Sequence, residues 1–134
     1  MAKSLFPENM LSTNELTLEG IASKLLYLQE TFHLLHWQTI GYAEHVWIGG
    51  VYEYIQDFRD SAIEKLMGYT GRRISSVQIG NIVPAGAQSL LEEALSFAVS
   101  LKRYAESNGY LDISNMADDF SGTMAKNKYL STLS

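Results

Sequence analysis

Four side chains in the middle of this sequence are of the types that hold a divalent transition metal: His36, His45, Asp60 and Glu64. Imidazole together with carboxylate suits iron, zinc or manganese. Facing helices of a bundle are a common place to build such a set. His33 lies one turn before His36 and, with Glu30, makes Glu-x-x-His-x-x-His. A Glu-x-x-His pair on a bundle helix is the ligand spacing of di-iron carboxylate proteins. Glu53, Asp57, Asp60 and Glu64 follow at offsets of four, seven and eleven, so they form one stripe on a helix. Like charges so placed repel by roughly a few tenths of a kcal/mol per pair. A bound cation would relieve that repulsion, making Asp57 a further candidate ligand; a solvated acidic face is the plainer reading of the stripe. For a lone histidine the plainer reading is a hydrogen-bonded core or interface residue. His45 precedes Asp60 by fifteen residues, which is about 22 Å of helix at roughly 1.5 Å per residue. One straight helix cannot bring both to one ion, so symmetry, a bend or two separate sites is required.

Other chemistries lack their residues. There is no cysteine, hence no disulfide framework, thiolate site or cysteine nucleophile. No Gly-x-Ser-x-Gly elbow is present, and the glycines do not follow a strand as a phosphate loop needs. The net charge is -5 and Lys3 is the only cation before Lys24, which argues against nucleic-acid binding through a basic patch. Every apolar run falls short of the ~18 residues of a membrane span, and no signal peptide is expected. A cytoplasmic location is the expectation, in keeping with the lack of cysteine. With 134 residues, 46% of them hydrophobic and 19% charged, the chain is expected to be a single domain, 1–134, built on one core.

Helical periodicity dominates. Residues 1–13 read as a leader, and Ser12-Thr13-Asn14-Glu15 as a capping box. Leu18, Ile21, Leu25, Leu28, Phe32 and Leu35 then recur at spacings of three and four, predicting a helix over about 15–39. Gly41 separates it from a second helix over about 43–68, with the stripe Val51, Ile55, Phe58 and Ala62. Gly49 and Gly50 interrupt that pattern, each costing about 1 kcal/mol against alanine. Packing must offset the cost, or the helix bends there. Gly71, Gly80, Pro84 and Gly86 mark residues 69–86 as a long crossover, with room for one helical turn. A third helix is expected over about 87–107, with Leu90, Leu91, Ala94, Leu95, Ala98, Leu101 and Tyr104 on its face. Asn108-Gly109 ends it. A fourth, over about 112–132, carries Ile113, Met116, Phe120, Met124, Tyr129 and Leu130. No segment alternates with period two. Four amphipathic helices with one long connection predict an all-α four-helix bundle.

The segment from His36-Trp37 through His45 to Asp60 and Glu64 resembles the ferroxidase segment of the Dps proteins, the mini-ferritins. In that family a His-Trp closes the first helix. A second His opens the next, and an Asp and a Glu four residues apart follow on it. Asp112-Ile113, Asp118-Asp119 and Lys126 through Leu130 are similar to the family's last helix. The chain is also similar to small ferritin-like proteins encoded by tailed phages of marine bacteria. The resemblance spans about Glu15 to Leu133. It implies a ferritin-like bundle with its long crossover between helices two and three. It further implies a homo-oligomer, a dimer at least and a dodecameric shell in full. Iron, or another divalent metal, would bind across a twofold interface. His36 and His45 would come from one copy and Asp60 and Glu64 from the other, with His33, Glu30 and Asp57 as weaker candidates. Ferroxidase activity and iron storage would follow. The family's aspartate four residues after the second His is Gly49 here, and no basic N-terminal arm like the family's is expected, Lys3 being the one cation before Lys24. These departures fit an alternative, a non-catalytic ferritin-like dimer with a degenerate metal site that acts as a structural or partner-binding protein.

Overall fold

The computed structural model describes residues 16–133, which fold into four helices. They are α1 (Leu18–Gln38), α2 (Tyr42–Thr70), α3 (Ala87–Asn108) and α4 (Leu111–Leu130). Among the described residues there is no strand. The proposed capping box at residues 12–15 lies outside them. The helix instead takes its cap at Thr17, whose hydroxyl accepts the Gly20 N–H at 3.0 Å. That satisfies one of the first-turn donors that α1 cannot pair internally.

The stripes read from the sequence are the core. Leu18, Ile21, Leu25, Leu28 and Phe32 of α1 are buried, as are Val51, Ile55, Phe58 and Ala62 of α2. On α3 the face widens to take in Phe97 and Ala105. On α4 the buried register is Ile113, Ala117, Phe120, Met124 and Asn127. Tyr129, expected on that face, is 63% exposed. It stands two residues past Asn127, about 200° around the helix, so Asn127 takes the inward position. The Asn127 amide donates to the Thr123 carbonyl, which meets part of its polar demand in that position. Phe120 is the centre of the packing, with the Phe58 ring at 4.7 Å and the Phe97 ring edge-on at 5.9 Å.

Two antiparallel hairpins, α1–α2 and α3–α4, pack together through α2 against α4 and α1 against α3. Tyr69, at the end of α2, stacks on Tyr110, at the end of α3, with ring centres 4.6 Å apart. The Asp112 N–H donates to the Tyr69 hydroxyl at 3.2 Å. So α2 and α3 finish at the same end of the bundle, and the link between them must return along its length. Residues 71–86 do this as irregular chain, without the helical turn the sequence had room for. Gly71 and Gly109 end their helices in the left-handed conformation, at φ 72° and 73°, which a side chain would oppose. The crossover is tied down where it starts. Arg72 donates both guanidinium nitrogens to the two Glu19 oxygens at 2.8 Å, and the Ser75 N–H and hydroxyl add bonds at 3.1 Å. No helix among the described residues is long and apolar enough to cross a membrane.

Helix α2 runs unbroken through Gly49 and Gly50. A Cβ at Gly50 would meet nothing within 4 Å. Gly50→Ala is therefore expected to stabilise the fold by about 0.5–1 kcal/mol through helix propensity, read as a higher urea midpoint at unchanged slope. A second prediction concerns acid. The Arg72 guanidinium first, and the Ser75 backbone N–H after it, hold the Glu19 carboxyl well below the usual carboxylate range. The unfolded chain then binds the extra proton, so the Glu19 contribution is complete above its unfolded value of about 4.3 and fades as pH falls below it. Glu19→Gln should be the less stable protein at pH 7, and the gap to wild type should narrow below about pH 4. Urea unfolding at both pH values measures this.

Candidate metal centre

The end of α1 and the start of α2 meet at the tip of the first hairpin. Two residues drawn from the sequence converge there. The His36 and His45 rings stack with centres 3.8 Å apart and planes at 24°. Each ring is held by its Nδ1. The His36 Nδ1–H donates to the His45 carbonyl at 3.0 Å. The His45 Nδ1–H faces the Thr39 hydroxyl at 3.0 Å and the His36 carbonyl at 3.3 Å. The Thr39 hydroxyl itself donates to that same carbonyl at 2.9 Å, so its oxygen is left to accept. A carbonyl can only accept, which places the proton on Nδ1 in both rings. Nε2 is then the basic nitrogen, the one a metal takes; a ligating histidine usually donates its other N–H to just such an acceptor. The carbonyl of His36 is one of the acceptors left over at a helix end, and Thr39 and His45 together supply its donors.

The rings as they stand are nearly parallel. Lone pairs lie in the ring planes, so at 24° they run alongside each other rather than toward one point. Both rings bind a single ion only if one of them turns. His45 is exposed and His36 half-buried, so His45 is the ring with freedom to do so.

Aromatic neighbours enclose the pair. His33 stacks on Tyr52 at 4.3 Å with planes at 9°, and Trp37 lies 4.4 Å from His33. Tyr52 is 5.3 Å from His36. His33 is thus engaged face-on with Tyr52 and at a tilt with Trp37. Around the tip, Trp37, Ile40, Tyr42 and Val46 are more than half exposed, a concentration of apolar surface beside polar rings.

The carboxylates lie elsewhere. Asp60 and Glu64 are exposed further along α2, and Glu30 is exposed on α1. Asp60 sits 3.5 Å from Arg59, whose other contact is the buried Gln29 amide oxygen. Asp57 faces the α2–α4 side, lining a shallow groove of about 340 Å³ with Tyr54, Phe58, Asn115, Met116 and Asp119. In that groove the Tyr54 hydroxyl donates to Asp119. Burial pushes the Tyr54 phenol up, and the Asp119 carboxylate adds to the shift. Among the described residues no three His, Asp or Glu side chains gather closely enough to hold a metal ion. One chain supplies two imidazoles at one place and two acids at another.

Sequence reading missed the contributions of Thr39, Gly49 and Tyr52. Thr39 entered only as the last residue of the expected first helix. The only trace of Gly49's contribution was a glycine where helix propensity opposes one.

Residues 36–130 match DUF5856, a family of unknown function. The matched segment opens at His36 and contains His45, Asp60 and Glu64. No curated protein and no solved structure matches the chain.

Thr39→Val keeps the shape of the linker and deletes the hydroxyl shared by the His36 carbonyl and the His45 ring. The expected cost is about 1 kcal/mol in urea unfolding. An unchanged midpoint would mean that Thr39 does not hold the tip.

Proposed function

Because the chain belongs to DUF5856, a family of unknown function, we propose a role from its own geometry: a ferritin-like, Dps-like homo-oligomer that binds iron between two copies of the chain, in the cytoplasm. His36 and His45 of one copy offer Nε2, and Asp60 and Glu64 of the other offer carboxylate oxygens. The reading is carried by one observation, two adjacent imidazoles whose Nδ1 protons are already committed to acceptors within the chain. Two nitrogens alone do not satisfy iron, which prefers a larger set of nitrogen and oxygen donors. With Asp60 about 22 Å of helix from His45 at roughly 1.5 Å per residue, the acids must be another copy's. The exposed Trp37, Ile40, Tyr42 and Val46 support burial of this tip against a second chain. The connectivity, two hairpins joined by one long crossover, is that of ferritin-like bundles.

Iron(II) is here the substrate. The imidazoles bind it while neutral and the carboxylates while ionised, so capture releases protons and weakens in acid. The anionic oxygens favour the higher charge of iron(III), which assists loss of one electron to peroxide or dioxygen. A closed shell would retain the product.

The stacked ring pair also supports a second reading, in which His36 and His45 lock the hairpin and the dimer binds a partner without chemistry. Stopped-flow oxidation of iron(II), with and without peroxide, separates the two. The His36→Ala, Glu64→Ala double variant is expected to lose at least tenfold in rate. Equal rates in variant and wild type would remove the ferroxidase reading. A native mass near a dodecamer would support storage, and a dimer would leave binding alone.

A further inference from the structure

One face of α2 carries His45, Gly49 and Tyr52, at i−4, i and i+3. These positions stack along a helix, one turn above the next. The His36 ring comes across from α1 and lies on this face over Gly49, with the His45 ring on one side and the Tyr52 ring on the other. A Cβ built on Gly49 would come 3.0 Å from the His36 Cε1 and 3.2 Å from its Nδ1. Carbon atoms in van der Waals contact stand at about 3.5–4.0 Å, so a side chain here displaces the ring. The displaced atom is the one that matters, because Nδ1 is bonded to the His45 carbonyl. Gly50 is the control within the same helix: its missing Cβ leaves only open space. Two neighbouring glycines carry the same propensity penalty, and only one of them makes room for anything.

We propose that Gly49 is the positioning residue for His36: its bare backbone is the seat that lets the imidazole close its Nδ1 bond and so presents Nε2 as the basic, ligating nitrogen. The absence of a side chain at 49 sets the tautomer of a ring on another helix. The geometry is independent of the iron reading, and only the use made of Nε2 rests on it.

The test compares Gly49→Ala with Gly50→Ala in the metal-free protein. Long-range proton–nitrogen NMR of the imidazoles should show His36 protonated on Nδ1 in wild type and in Gly50→Ala. In Gly49→Ala that signature should give way to averaged tautomers. If Gly49→Ala keeps the wild-type His36 signals, the proposal is overturned. A second reading covers loss of signal quality. In a His36→Ala background, Gly49→Ala should raise Tm as much as Gly50→Ala does, because the obstructing ring is gone. With His36 present it should raise Tm by less, or lower it. Equal gains in both backgrounds would also overturn the seat. Anaerobic iron(II) titration then addresses use: Gly49→Ala should bind at least tenfold more weakly than Gly50→Ala. Should the wild type bind no iron, the iron reading falls while the imidazole signal still decides the seat.

Discussion

Two ring nitrogens and two main-chain carbonyls close the first hairpin. His36 reaches forward to the carbonyl of His45, and His45 reaches back to the carbonyl of His36 and the hydroxyl beside it. This exchange occupies both Nδ1 atoms, adds a second donor to a helix-end acceptor that Thr39 also serves, and stacks the rings. Everything that makes the tip chemically interesting depends on it. Without these bonds the two imidazoles would be ordinary solvent-facing side chains with no fixed tautomer.

The same end of the molecule gathers apolar surface that a lone chain leaves in water. Trp37 and Tyr42 are 69% and 83% exposed, while most large side chains of the four stripes are buried. A hairpin tip carrying polar rings beside unburied aromatics suits the contact between copies proposed above. Asp60 and Glu64 are exposed further along α2, Asp60 about 22 Å of helix from His45 at roughly 1.5 Å per residue. The opposite end of the bundle is already closed, by the Glu19–Arg72 pair and the Tyr69–Tyr110 stack.

The helices could be read from the sequence because their apolar residues recur at three and four, and such spacing has one physical meaning. Leu18 to Phe32 and Val51 to Ala62 are buried on that account. The reading went astray where a single residue decides which way a face points. Tyr129 looked like a core aromatic, yet the inward register passes through Asn127, an amide that donates to the Thr123 carbonyl one turn back. The end of the crossover's anchorage was equally hidden, since Glu19 and Arg72 stand fifty-three positions apart. At the tip, His36 and His45 could be picked out as a pair by type, but not their geometry. Gly49 registered only as an interruption.

Composition and periodicity alone determined that the described residues are helical, where their four helices lie within a few residues, and which residue types are available for metal chemistry. These are local properties, set by the side chains within a turn or two of one another. Tertiary structure decided that α2 and α3 end together, that two of the candidate ligands touch while the acids stand apart, and that one glycine of two is needed. Those outcomes depend on which helix faces which and at what height, and that follows from packing the whole core at once.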